Sequence, residues 1–240
     1  MAEHEQLKAA LKTVRYPRGI VGCSEVLRRG GVIGNPDGYC AIAGQSFFPG
    51  GRGYKGQTLP LGGVMYLGHY FDKINGYIQS VRRGYEENLT WRKIRAGVFD
   101  CILEDHIFFT NYFMGVSESE TNIGELERTG GFSNYEEDCW NFFCLQVILQ
   151  RPRVIVALGR NVIRPLGKSN RLNFPDWLIK AKDSYGALRM QSRDLSIRFD
   201  GIETTAKIVA AYHPSYGRDD AKLSEIKKDA EFVASLLIAS

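Results

Sequence analysis

Four places in the chain join an apolar run to a short polar or small-residue turn. They are Gly44-Gln45-Ser46, Thr110-Asn111, Gly159-Arg160 and His213-Pro214-Ser215. A carboxamide such as Asn111 presents a donor and an acceptor together, so it can read one edge of a heterocycle. An imidazole such as His213 can donate to an oxygen on which negative charge collects. An Asn after an apolar run is commonly a turn residue, and a lone His is commonly structural. Four such turns in succession are harder to explain in that way.

The elements that must position these groups follow from the apolar pattern. Tyr39–Gly44 (YCAIAG), Ile107–Asn111 (IFFTN), Val154–Leu158 (VIVAL) and Ile208–Tyr212 (IVAAY) read as short buried strands. From Leu61 to about Arg83 the pattern is helical. Ser133 and Glu136 read as a capping box, followed by Trp140, Phe143, Cys144, Val147 and Ile148 on one helix face, with Pro152 beyond its end. A short helix is expected through Val162 and Ile163, and a longer one from Asp219 to Leu237, with Ile226, Ala230, Val233 and Leu237 on one face. Continuous apolar strands alternating with helices predict an α/β fold, a three-layer α/β/α arrangement around a mainly parallel four-stranded sheet. Ligands of such sheets bind beyond the carboxyl ends of the strands, so the four turns are expected on one rim. Residues 1–240 are expected to form a single domain, with 1–37 as an N-terminal extension packed on it. Residues 168–200 are polar and mixed; they either cover the sheet or contact a polyanion.

Composition narrows the classes. Hydrophobic residues make up 44% of the 240, enough for one large core, and a charged share of 24% is ordinary for a globular chain. Net charge is +4, from 31 basic and 27 acidic residues, a mild excess compatible with a polyanionic partner. The paired basic residues Arg28 and Arg29, Arg82 and Arg83, Arg151 and Arg153, and Lys227 and Lys228 read mainly as solvated faces. No apolar stretch approaches the roughly 20 residues that span a bilayer, and Met1 to Lys12 is polar, so a cytoplasmic protein without membrane contact is expected. The five cysteines, at 23, 40, 101, 139 and 144, form no Cys-x-x-Cys, which points to reduced thiols, no metal and no other cofactor. Cys40 and Cys101 read as core residues. No Gly-x-Gly-x-x-Gly opens a helix after the first strand, and neither a P-loop nor Gly-x-Ser-x-Gly occurs. Nucleotide binding and α/β-hydrolase chemistry are thereby disfavoured.

In order and spacing, these turns resemble the motifs of the uracil-DNA glycosylase superfamily over roughly residues 38 to 236. Gly44-Gln45-Ser46-Phe47-Phe48-Pro49-Gly50 stands for the first loop, Asn111 for the base-reading Asn, and His213-Pro214-Ser215 for the last loop. Cys139, Gln146, Pro152 and Val154-Ile155-Val156-Ala157-Leu158-Gly159 are similar to the iron–sulfur branch. The resemblance implies a DNA glycosylase that flips a base and hydrolyses its N-glycosidic bond, acting as a monomer on DNA. Under it His213, Asn111, Gln45 and Ser46 are catalytic, and Phe47, Phe48, Asn111 and Leu61 hold the base. Arg52, Tyr54, Lys55, Arg160, Ser215, Tyr216 and Arg218 contact DNA, with Tyr216 and Arg218 filling the gap the base leaves.

Three departures shape what that implies. Only Cys139 occupies a cluster-ligand place, and Met114-Gly115 stands where another ligand is expected, so no iron–sulfur cluster is predicted. Between Gly44 and Gly63 there is no Asp, Glu or Asn, the residue types that activate water in this family's first loop. Gly50, Gly51, Gly53 and Gly56, with Gly62 and Gly63, either shape the turn or widen the pocket. A wider pocket suits a bulky modified cytosine, such as the glucosylated hydroxymethylcytosine of phage DNA, and a role in phage defence. Uracil repair and a non-catalytic reader of modified DNA are the alternatives.

Overall fold

The computed structural model describes residues 3–22, 61–70, 89–103, 106–118, 132–167, 176–177, 185–214 and 220–239. Its centre is a five-stranded mixed sheet. In chain order its strands are β2 (Val64–Tyr70), β3 (Ile107–Phe113), β5 (Val154–Leu158), β6 (Ser192–Phe199) and β7 (Ile202–Ala211). They lie side by side in the order β3-β2-β5-β7-β6; the first four are parallel, and β6 is antiparallel to β7. Two residues each of β1 (Ile20–Val21) and β4 (Val116–Ser117) form a separate antiparallel pair.

Strand β2 overturns the helix expected from Leu61, at least over residues 64–70. It lies between β3 and β5, with Val64 to Leu67 fully buried. A strand covered on both faces is apolar at every position and so carries no period of two, and periodicity cannot separate it from a buried helix turn. The strand expected at Tyr39–Gly44 lies outside the described residues.

A fifth strand comes from the segment that the apolar pattern left unassigned. In β6, Leu195 and Ile197 are buried while Arg193, Asp194, Ser196 and Arg198 face solvent, the alternation of an edge strand covered on one side. It turns into β7 through Asp200 and Gly201, at φ 48° and 76°, a two-residue turn whose positive φ values match the strand twist. Strand β7 pairs with this edge strand from Ile202 to Val209, and its first four residues are exposed or half-buried. The strand therefore begins at Ile202, six residues before the apolar run at Ile208.

Helices cover both faces. Met65, Leu67, Phe108, Ile155, Ala157, Ile208 and Ala210 pack with α1 (Glu3–Lys12), α3 (Ser133–Gln150) and α4 (Arg160–Gly167). Val64, Tyr66, Phe109, Val154, Val156 and Val209 pack with α2 (Leu89–Gly97) and α5 (Asp220–Ala239), through Ile94, Ile226, Ala230 and Val233. Helix α3 starts at Ser133, one residue too early for Ser133 to cap it. The cap position is Phe132, without a side-chain hydrogen bond, so the expected Ser133–Glu136 capping box is not formed. The helix closes on Arg151 in the left-handed conformation, whose N–H donates to Val147 O, directly before Pro152. Ahead of α3, Arg15 forks onto Asp138 at 2.7 and 2.8 Å and ties the segment after α1 to this helix. Among the described residues no helix is long and apolar enough to cross a membrane.

Candidate functional site

The four parallel strands end on one rim, and their register sets what meets there. Leu67, Ala157 and Ala210 are level across β2, β5 and β7. Two residues further on, His69, Gly159 and Tyr212 are therefore level, with His213 one residue beyond. On the other side of β2, Asn111 pairs with Gly68. A methyl group on Gly68 would overlap Asn111 Oδ1, so the carboxamide occupies the space that glycine leaves. Gly159, at φ +82°, makes the turn out of β5, and a Cβ there would lie 3.2 Å from the Cβ of His213. Two glycines thus leave room for these side chains: Gly68 for Asn111, two residues inside the end of β3, and Gly159 for His213, just past the end of β7.

Burial sets the charge of the histidines. It pushes the His213 imidazole down to about 4, since a dry site disfavours the cation. His69 is also pushed down to about 4, by burial first, then by the positive charge His213 would carry, then by Arg164 of α4. Both rings are neutral at physiological pH. A neutral imidazole can donate one hydrogen bond and accept another. His69 Nδ1 is buried without a hydrogen-bond partner, an arrangement that costs about 1–3 kcal/mol in a finished core.

The end of β7 is clamped just before His213. Ala211 O accepts from Tyr185 Oη at 2.6 Å and from the Gly159 N–H at 2.9 Å. The Tyr212 N–H donates to Asp229 Oδ2 at 3.0 Å, across from α5. Asp229 also receives Arg189 Nε at 3.0 Å and Nη2 at 2.8 Å, and Arg189 Nη1 reaches Glu225 Oε2 at 2.6 Å. The same guanidinium stacks on the Tyr212 ring, 3.9 Å from its centroid. The side chains of Arg189 and Asp229 are only 10% and 6% exposed, so the pair sits in a low-dielectric setting where losing one partner is expensive.

Of the residues singled out in the sequence, Asn111 and His213 lie toward the same carboxyl edge of the sheet, Asn111 on β3 beside Gly68 and His213 just past β7, with β2 and β5 between them. Arg160 opens α4 at the same rim and is exposed. Leu61 is not at this site: it precedes the amino end of β2, 62% exposed, beside the entry to β5. Seven strand residues at about 3.3 Å each separate it from the rim. Gly62 and Gly63 share that end, so they do not widen a pocket at the rim. Gln45, Ser46, Phe47, Phe48, Arg52, Tyr54, Lys55, Ser215, Tyr216 and Arg218 lie outside the described residues.

Sequence reasoning missed His69 and the Arg189–Asp229 clamp. A faint signal for His69 was present: the run VMYLGHY carries Gly68-His69, the small-then-polar step that marks Gly44-Gln45 and Gly159-Arg160, but Tyr70 follows it without a break. The helical reading of the segment hid it. The first of the four parallel strands described is β2, and the chain runs on from it into Phe71 and Asp72, outside the described residues.

Among the described residues the donor set does not fit a cluster. Cys139 is fully buried, its Sγ accepts the Met114 N–H at 3.4 Å, and burial pushes its thiol up to about 12. Such a thiol is a core group and a poor ligand. Among the described residues no three His, Cys, Asp or Glu side chains gather as a metal site, and Cys101, Cys139 and Cys144 are free thiols.

No protein-family model matches this chain, and no curated protein matches it.

Proposed function

We propose that this protein is a DNA glycosylase that draws a non-canonical base out of the duplex and hydrolyses its N-glycosidic bond. The observation that carries the reading is a carboxamide over Gly68 and a half-buried, neutral His213 toward the same carboxyl edge of the sheet. Cleavage of an N-glycosidic bond leaves an oxocarbenium-like sugar and puts negative charge on the departing base. A neutral imidazole aimed at a base oxygen stabilises that charge without bringing a competing cation into the pocket. Asn111 holds the base by its hydrogen-bonding edge. The Arg189–Asp229 clamp keeps the end of β7 rigid, so the donor does not reorganise as charge develops. Extracting the base costs a few kcal/mol, which phosphate contacts offset; Arg160 and the mild positive charge of the chain suit that role.

A bulky modified cytosine is the favoured target, on the strength of the four glycines between Gly50 and Gly56. A second reading, a reader that flips and holds the base without cleaving it, draws support from the rim itself. Asp229, the carboxylate next to the end of β7, is committed to Arg189 and the Tyr212 N–H and is not available to activate water. Mass spectrometry of bases released from a panel of uracil-containing, 5-hydroxymethylated and glucosylated DNAs separates the readings. Release of a glucosylated base supports excision of bulky cytosines, and release of uracil alone points to repair. Binding without release of any base leaves the reader.

A further inference from the structure

His69 has no part in the proposed excision chemistry, and among the described residues nothing gives its Nδ1 a structural task. Its ring stands edge-on to Tyr70 and Phe113, with centroids 5.2 and 5.3 Å away at 83° and 80°. These neighbours hold the ring plane but neither satisfies Nδ1, which is buried without a partner. The residue as a whole is half-buried. A Phe or Leu would fill such a position without leaving a dry polar atom, so the choice of an imidazole here calls for a different explanation.

The placement supplies one. His69 is level with Gly159 and Tyr212, and His213 follows Tyr212 directly. Strands β2 and β7 both flank β5, so their ends are roughly 10 Å apart, twice the usual strand spacing. Between them stands Gly159, which puts no side chain into the gap. A flat six-membered heterocycle with a hydrogen bond at each side has about this width. The partner of one imidazole nitrogen ordinarily fixes which nitrogen carries the proton. With no partner at Nδ1 to fix the tautomer, His69 Nε2 can offer either an N–H or a lone pair, to suit a carbonyl or an amino group.

We propose that His69 is a second ligand-contacting imidazole, which hydrogen-bonds the polar edge of a flat heterocycle seated over Gly159, with His213 on the opposite side. The identification of that heterocycle as a flipped base rests on the excision reading; the contact itself does not.

The test uses the full chain labelled with ¹⁵N-histidine. A short duplex carrying glucosylated hydroxymethylcytosine on a 2′-fluorinated sugar, which resists cleavage, is titrated in, with an unmodified duplex as control. The expected result is a change in the His69 ring-nitrogen shifts toward one tautomer with the modified duplex only. His69→Phe keeps the ring packing against Phe113 and is expected to bind the modified duplex 10- to 100-fold more weakly, with binding of the unmodified duplex unchanged. His69→Gln, which keeps one donor and one acceptor, is expected to recover part of the loss. Unchanged His69 shifts in the wild-type protein overturn the proposal even if the Phe variant fails to fold. If bases are released but His69→Phe acts as wild type, the proposal falls and the excision reading stands. If no base is ever released yet His69 responds to the modified duplex, the excision reading falls and the contact stands.

Discussion

His213 enters the proposed chemistry as a neutral donor, and its replacement should act on the barrier more than on binding. His213→Ala is expected to raise the barrier to base release by about 2–4 kcal/mol, the scale of one lost oxyanion-type donor. Single-turnover release measures this directly, and an unchanged rate removes His213 from the mechanism. Asn111 can be tested without touching it. A methyl group on Gly68 would overlap its Oδ1, so Gly68→Ala must push the carboxamide off the rim. The strand itself loses nothing by gaining an Ala, since glycine is the weaker strand residue. Base release is therefore expected to fall at least tenfold while the melting temperature changes by only a few degrees. A Gly68→Ala protein with full activity would show that the position of Asn111 over β2 is immaterial.

At the scale of elements, the site depends on how the end of β7 is held. Asp229→Ala leaves the Arg189 guanidinium buried without its main partner and frees the Tyr212 N–H. Loss of one half of a buried pair costs about 3–5 kcal/mol. Asp229→Asn keeps an acceptor for Tyr212 and is expected to cost less. Urea unfolding ranks the two, and release rates of the folded variants should follow the same order, because the strand end carries His213. Strand β2 raises a second test. The loop from Gly44 to Gly63 has no carboxylate, but the chain beyond β2 reaches Asp72 two residues after Tyr70. If the water-activating loop is the one that follows β2, Asp72→Asn should abolish most base release and Gln45→Ala should spare it. The reverse result would restore the loop at Gly44 as the first motif. Strands β5 and β3 were legible in the sequence because their apolar runs are bounded by turns: β5 spans the expected Val154–Leu158, and β3 extends the expected run by two residues, to Phe113. Strand β2 was not, because Gly68-His69-Tyr70 lets its pattern run on into the next segment without a break.

The whole molecule carries the cost of two partly buried, neutral histidines. Both titrate near 4 in the fold, against 6.5 in an unconstrained chain, so the unfolded state binds more protons between those values. Stability is then fully present above about pH 6.5 and is lost as the pH falls toward 4, levelling off below it, by at most on the order of 3 kcal/mol for each histidine. Urea unfolding at pH 7 and pH 4.5 measures the loss, and His69→Phe should remove about half of the histidine share. An equal slope in the variant would mean that His69 is already accessible to protons.

The α/β class, the helix-covered parallel strands and the place of His213 just past a strand end could be read from the chain alone, since each follows from local apolar runs and the turns that bound them; Asn111, expected at a strand end, lies two residues inside β3. Only the tertiary structure decided which strand lies between β3 and β5, which residues are level along the rim, and that Leu61 belongs to the opposite end. It alone brought Arg189 to Asp229, 40 residues away, and His69 level with Gly159. The reason is physical. Register and burial are set by pairing between segments distant in the chain, and a strand buried on both faces leaves no periodic mark in its own residues.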